Sequence, residues 1–316
     1  MHNDRGRISG IASALASALF LGLAPVLGKA AITSGIPPLL VVAVRTGLAA
    51  LLLLIIMVLF RRNFLYIFFL GLVGCMLAGA INGMGSILYY LALGRLSASV
   101  GQMLYSLYPI FLTFWLFLDR QPPSRLTIVR MLIASIAIIF LTLTDNAQAD
   151  LTGVFLMLGA SALYALHLPI NQRVLYEIPA PTVTLYTLIA MSAVVIPAYL
   201  IFDRQLPAAG AAWAPVAWLT LVTFFSRLTL FVGIKHLGGI QTAILGLAEL
   251  VVTIVFSHIW LGEQLTPLQW LGTILLGFSL ALVALDRRPL EPRRDRGGWL
   301  GWLRPPDSSQ VTWTLE

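Results

Sequence analysis

Charged residues and cysteine are scarce in this chain. Of its 316 residues only 10% are charged, whereas 59% are hydrophobic. Soluble domains carry roughly 25% charged residues, so the composition excludes an ordinary water-soluble domain. Cys75 is the single cysteine, which excludes a disulfide within the chain and a Cys-based metal cluster. The composition therefore indicates an integral membrane protein, and we expect it to hold no cofactor and no metal.

The motifs of common enzyme classes are also missing from the sequence. It contains no Walker-type glycine loop, no His-Glu-x-x-His and no Gly-x-Ser-x-Gly. ATP hydrolysis and the hydrolytic reactions of those motifs are therefore not expected, and we predict that the chain is not an enzyme. The net charge of +7 follows from the basic residues of the predicted loops, so no nucleic-acid partner is expected.

Long apolar runs dominate what is present. A helix needs about 20 apolar residues to cross the hydrocarbon core of a bilayer. The first run follows Arg5 and Arg7, as in a secretory signal, but it is too long for one and is expected to be a spanning helix. The sequence predicts ten spans, at 8–31, 38–60, 64–92, 98–118, 126–144, 153–173, 182–202, 214–234, 239–260 and 268–285.

The ten runs divide into two similar sets of five. The segment ASALF at 16–20 recurs as ASALY at 160–164, and Pro25 is matched by Pro169. Because five is odd, the second set would enter the membrane from the opposite side, which is typical of secondary transporters. The predicted fold is all-α, with ten transmembrane helices in two inverted five-helix repeats. The predicted segments are a first repeat at 1–144, a connecting loop at 145–152, a second repeat at 153–285 and a basic cytosolic tail at 286–316.

Basic residues fall mostly on one side of this arrangement. Only Arg95 and Arg204 lie in loops on the side opposite the N-terminus, whereas the N-terminal segment, the alternate loops and the tail hold many. Cytosolic loops are enriched in lysine and arginine, so both termini are predicted to be cytosolic.

Polar residues inside the spans are the candidates for function, because burying them in a membrane is costly. Glu249 is the only acid within a predicted span, and Arg227 lies on the preceding helix. Three interpretations remain open. The two could form an ion pair that only joins helices, Arg227 could bind the carboxylate of a solute, or Glu249 could carry a proton that is exchanged.

Other polar residues extend this set. In the third and fourth helices, polar and aromatic residues recur at helical spacing, which suits a solute with apolar and hydrogen-bonding parts. Arg45 either packs helices or lies on the solute path. His167 either titrates or is a neutral, hydrogen-bonded histidine. The predicted pathway residues are Glu249, Arg227, Asn82, Ser86, Tyr90, Gln102, Tyr105, Tyr108, Arg45 and His167.

Four motifs are distinctive: GLAPVLGK at 22–29, YLALGRLSAS at 90–99, Ala-Glu at 248–249 and LGEQLTPLQWLG at 261–272. With them the chain resembles the ten-helix branch of the drug/metabolite transporter superfamily, which carries two EamA domains. It departs from that pattern at Leu250, where a proline usually follows the glutamate. The resemblance implies a carrier of the bacterial inner (plasma) membrane, commonly an exporter of amino acids or other small metabolites.

The residues and the resemblance together predict a secondary active transporter. It would export a small organic metabolite, amino-acid-like or amphiphilic, by alternating access. The alternatives are an uptake facilitator of the same fold and a membrane enzyme or sensor without transport. The expected partners are the solute, the lipid bilayer and a proton as the coupling ion, with both a monomer and a homodimer left open.

Overall fold

The described residues of the first half of the chain form helices joined by short turns. The computed structural model describes residues 2–118, 129, 132–133, 136–137, 140, 150–264 and 266–284. The helices up to residue 118 are α1 (His2–Thr33), α2 (Pro38–Phe60), α3 (Phe69–Arg95), α4 (Ala98–Tyr105) and α5 (Tyr108–Leu118), with a 3₁₀ turn at Arg62–Leu65 between α2 and α3. The proline that opens α2 costs no hydrogen bond, because the first amides of a helix have no partner within it.

The described residues of the second half are also helical. Its helices are α6 (Leu151–Val174), α7 (Ala180–Phe202), α8 (Ala214–Leu237), α9 (Gly239–Gly246), α10 (Ala248–Phe256) and α11 (Pro267–Ala284), with a π turn at Ser257–Leu261 after α10. Asp150 caps the start of α6, because its carboxylate accepts hydrogen bonds from the amides of Thr152 and Gly153 at 3.0 and 3.2 Å. The described residues contain no strand, which confirms the all-α prediction for them.

Seven segments among the described residues are long and apolar enough to cross a membrane. They are Ile8–Thr33, Pro38–Phe60, Phe69–Arg95, Leu151–Val174, Ala180–Phe202, Ala214–Leu237 and Gln241–Leu261. The predicted tenth span corresponds to the 18-residue α11. The predicted fifth span and the tail lie largely or wholly outside the described residues, so the count of ten stays a prediction.

Two predicted spans are interrupted near their middle. The span 98–118 breaks between α4 and α5, where Pro109 lacks an amide hydrogen and its ring excludes a helical bond to the carbonyl of Tyr105. The span 239–260 breaks at Leu247. There the Tyr108 hydroxyl donates to the Ala243 carbonyl at 2.6 Å, the group that a continuous helix would bond to the amide of Leu247. Each interruption leaves a helix start inside the bundle.

The two halves of the chain are extensively packed against each other. α1 packs on α8 and α10, and α3 packs on α6 and α7. Small residues permit this: a Cβ atom on Gly79 of α3 would lie 2.5 Å from the carbonyl oxygen of Thr187 on α7. Cys75 of α3 is fully buried in the same region. α2 packs on α3 and α8, and α10 packs on α1 and α4.

Candidate functional site

Three charged side chains are buried in the middle of the helix bundle. Glu249 is 2% exposed, and Arg45 and Arg227 are each 6% exposed. They belong to α10, α2 and α8, so tertiary packing brings them together. Buried charges in membrane helices are costly and usually mark solute or ion pathways. These residues and their neighbours form the candidate site.

Arg227 is hydrogen-bonded to a side chain of α3. In the amide orientation that satisfies both groups, the Asn82 side-chain oxygen accepts hydrogen bonds from Nη1 and Nη2 of Arg227, each at 3.1 Å. The guanidinium carbon also lies 5.8 Å from the centroid of the Tyr164 ring, within cation–π range. The Nε of Arg227 has no hydrogen-bond partner among the described residues.

Arg45 has the same kind of surroundings. Its Nη1 donates to the Thr223 hydroxyl at 3.0 Å, and its guanidinium carbon lies 4.7 Å from the centroid of the Tyr90 ring. Its Nε, too, finds no hydrogen-bond partner in the part of the chain that is described. Thr223 and Arg227 are four residues apart on α8, which places them on one face of that helix. The two arginines therefore belong to one cluster.

Five tyrosine rings connect the two arginines. Tyr90 contacts Tyr89, whose ring centroid lies 5.4 Å away, and Tyr89 contacts Tyr105 at 4.9 Å. Tyr105 in turn contacts Tyr164 at 5.1 Å, and Tyr108 lies 5.0 Å from Tyr164 and 6.0 Å from Tyr105. These tilted and edge-on geometries are the favourable ones for aromatic pairs. The result is a continuous aromatic wall that runs between two positive charges.

Glu249 lies at the start of α10. It occupies the first turn of that helix, where the unpaired amides and the helix dipole favour a negative charge. Gln102 of α4 interacts with its carboxyl group, whereas Oε1 has no hydrogen-bond partner among the residues that the structure describes. A Cβ atom on Gly22 of α1 would lie 2.6 Å from the Glu249 carbonyl oxygen, so a glycine is needed for α1 to approach this closely.

His167 and Ser86 complete the predicted set. His167 is buried, and its Nδ1 faces the carbonyl oxygen of Tyr164. A nitrogen beside a carbonyl oxygen must donate, so in the neutral ring Nε2 is the acceptor, and that atom is unpartnered within the described residues. Ser86 is buried one helical turn after Asn82 on α3.

All ten predicted pathway residues lie in the described part of the chain and face the bundle interior, Tyr105 half-buried and the others buried. No ion pair joins Arg227 to Glu249, although both residues are described. The first of the three interpretations, a closed ion pair between two helices, therefore does not apply to this conformation. The role of the ten residues in a pathway stays a prediction.

A carboxylate that the sequence did not single out for function lies at one end of the bundle. Glu263 accepts hydrogen bonds from the amides of Ala98 and Ser99 at 2.7 and 2.9 Å, and from the Ser99 hydroxyl at 2.6 Å. It thereby caps the start of α4, which belongs to the other half of the chain. Lys29 is nearby and donates to two carbonyl oxygens at the end of α3. The motif at 261–272 contains Glu263, but the motif alone does not reveal its partner.

Two tyrosines outside the ten predicted pathway residues also belong to the site. Tyr89 and Tyr164 contribute rings to the aromatic wall and contact residues of the site on both sides. For Tyr164 a signal existed, because it lies three residues before His167 on the same helix. Residues three apart share one face of a helix.

The comparisons with known proteins agree with this architecture. The model of the EamA-like transporter family matches residues 8–144 and 151–285, which is most of the sequence. The chain belongs to the EamA-like transporter family. This confirms the resemblance seen in the motifs, and the described helices confirm a multi-pass helical membrane protein.

Individual relatives of this EamA-like chain are distant. The uncharacterized transporter YcbK of Bacillus subtilis is 27% identical over 59% of this chain, and the match spans 63% of the relative's own length, a little under two thirds. The uncharacterized inner membrane transporter YicL of Salmonella typhimurium is 21% identical over 63% of this chain and 68% of its own. One solved crystal structure superposes with a TM-score of 0.68 at 16% identity, covering 88% of this chain and 97% of that one. The structural likeness therefore concerns the fold alone.

Proposed function

We propose that this EamA-family chain is a secondary active transporter that moves a small organic metabolite across the inner membrane by alternating access. The observation that carries the proposal is the burial of Glu249, Arg45 and Arg227 inside a bundle of apolar helices. Such charges are retained in membrane helices mainly where solutes or ions pass. The family of the chain supports the same function.

The proposed architecture is two inverted five-helix repeats, 1–144 and 153–285, with both termini cytosolic. Two features support it. α1 packs on α8 and α3 packs on α6, as expected if each repeat places its first helix against the third helix of the other. The interrupted helices α4–α5 and α9–α10 also occupy corresponding places in the two halves. Broken helices that meet near the bilayer midplane are typical binding sites of secondary transporters.

The solute site in this proposal is the space bounded by the predicted pathway residues and the aromatic wall. The arginines and Glu249 supply charge, the tyrosines supply apolar surface, and Asn82 and Gln102 supply hydrogen bonds. α4 and α10 contribute because each starts or ends at an interruption inside the bundle. Rocking of the halves about this site would expose it to each side of the membrane in turn.

Export is the direction we propose, with a proton on Glu249 as the coupling ion. Glu249 is the candidate because Oε1 is unpartnered among the described residues and the carboxyl is not paired with an arginine. A carboxyl group in this setting can take up a proton when it faces one side and release it when it faces the other.

Transport is tested with the purified full-length chain in liposomes that have been loaded with a mixture of unlabelled amino acids and organic acids. Uptake of a labelled solute by exchange (counterflow) above that of empty liposomes is the expected result, and its absence for every solute would contradict the proposal. Net flux driven by a preset pH gradient then tests coupling. Glu249→Gln should abolish the effect of the gradient while counterflow persists. Glu177→Gln, which alters an exposed acid, is the matched control and should behave like the unaltered chain.

A further inference from the structure

The two buried arginines of the candidate site are neighbours with like charge. Arg45 donates to Thr223, which lies one helical turn before Arg227 on α8. Like charges repel strongly where water is excluded, so two guanidinium groups in this arrangement require negative charge close by.

The protein itself supplies little of that charge directly. In the described part of the chain, the side-chain acceptors of the two arginines are the Thr223 hydroxyl and the Asn82 amide oxygen, both of which are neutral. Glu249 forms no ion pair with Arg227, although both residues belong to the described part of the chain. The Nε groups of both arginines are buried and unpartnered within those residues. A guanidinium whose Nε is unused retains the planar fork that binds a carboxylate through two hydrogen bonds.

The overall charge of the cluster limits the ligand further. The two arginines carry a charge of +2, which an ionised Glu249 lowers to +1, so the cluster stays positive whether or not Glu249 holds a proton and an anionic solute offsets that charge. The aromatic wall between the arginines offers apolar surface to the rest of such a solute.

We propose that Arg45 and Arg227 together bind the carboxylate of a small organic anion, whose apolar body lies against the tyrosines. This inference rests on the proposed transport function and names the class of solute. It assigns Arg45 to the solute site, in preference to the packing role that the sequence left open.

The test compares three probes of one shape and different charge: 3-phenylpropionate, its neutral amide and 3-phenylpropylamine. Binding to the purified full-length protein in detergent is measured by calorimetry and by the rise in melting temperature. We expect the carboxylate to bind at least tenfold more tightly than the amide and the amine. Arg45→Gln and Arg227→Gln should each weaken carboxylate binding at least tenfold and leave binding of the amide unchanged.

Two further variants distinguish a loss of the binding site from unfolding and from the loss of positive charge elsewhere. Arg45→Lys keeps the positive charge but not the planar fork, so it should retain part of the affinity even where Arg45→Gln unfolds. Arg62→Gln removes an exposed arginine that bonds to the Val58 carbonyl, and it should bind the carboxylate normally. If the amide or the amine binds as tightly as the carboxylate, or if none of the three stabilises the protein, the inference is wrong. Counterflow of uncharged or cationic solutes would then still support transport, so the two proposals fail separately.

Discussion

The carboxylate of Glu263 lies 2.6 Å from the hydroxyl group of Ser99, and it also accepts hydrogen bonds from the amides of Ala98 and Ser99. Glu263 follows α10 in the second half of the chain, whereas Ser99 lies in the first turn of α4 in the first half. Hydrogen bonds to a charged group contribute more than neutral ones, and a helix start favours a negative charge. This contact therefore joins the two halves at one end of the bundle.

Removing that carboxylate should destabilise the protein. We expect Glu263→Ala to lower the free energy of unfolding by about 1.5–3 kcal/mol, the range for hydrogen bonds to charged groups. Unfolding in detergent, followed by circular dichroism, measures the change. Glu177→Ala removes an exposed acid and should change stability by less than about 0.5 kcal/mol. Equal losses in the two variants would mean that the contact contributes nothing specific.

Gly79 should not tolerate a side chain. The added Cβ atom would lie 2.5 Å from the Thr187 carbonyl oxygen and 2.6 Å from the Ala190 Cβ. Gly79→Ala must therefore push α3 away from α7, at a cost of about 1–3 kcal/mol. Gly277 of α11 has no described atom within 4 Å of its Cβ position, so Gly277→Ala should be neutral or slightly stabilising. Gly79→Ala should lower the melting temperature, whereas Gly277→Ala should leave it unchanged or raise it slightly. An unchanged melting temperature for Gly79→Ala would contradict the described packing.

The hydroxyl groups of two buried tyrosines should contribute differently to the stability of the protein. Tyr108 donates to the Ala243 carbonyl at 2.6 Å, whereas the Tyr90 hydroxyl is unpartnered among the described residues. Tyr108→Phe should cost about 1 kcal/mol of stability, since it leaves a buried carbonyl with one bond fewer. Tyr90→Phe should cost close to nothing and keeps the ring beneath Arg45. A larger loss for Tyr90→Phe in the same unfolding assay would reverse this assignment.

The stability of the protein should depend on pH because of Asp150. Its pKa is held below the usual value of 3.8 by a hydrogen bond from Arg95 and by the amides of Gly153 and Thr152. Because the folded-state pKa is depressed, the stabilisation is fully present above the unfolded value and is lost as the pH falls through the folded one. Unfolding measured between pH 3 and 6 should therefore show a loss at the acid end (roughly below pH 4). Asp150→Asn should flatten that part of the profile, and high salt should weaken the effect because the pair is exposed.

The sequence predicted much of the helical arrangement because each apolar run is a local property. The bounds of α2 match the predicted span at 38–60, and α6 and α8 lie within a few residues of theirs. The interruption of 239–260 could not be predicted, since it coincides with a hydrogen bond from Tyr108, a residue far away in the chain. The interruption of 98–118 did have a local signal in Pro109.

The site residues were predictable by type but not by partner. A charged residue within an apolar segment can be recognised from the sequence alone, so Glu249, Arg227 and Arg45 could be predicted as candidates. That Arg227 bonds to Asn82, and Arg45 to Thr223, depends on how α2, α3 and α8 pack. The sequence suggested a pair of Arg227 with Glu249 because their helices are consecutive. In the packed structure Arg227 is hydrogen-bonded to the neutral side chain of Asn82 instead. Glu263 was overlooked because a glutamate in a loop has no local sign of what it contacts.

The burial of Cys75 has a practical consequence for experiments on motion. The chain contains no other thiol, and this one is buried by the residues that pack around α3. Maleimide dyes and spin labels should therefore leave the unaltered chain unmarked. A cysteine introduced at any exposed site would then report alone, in the natural background, on how distances across the bundle change when solute is added.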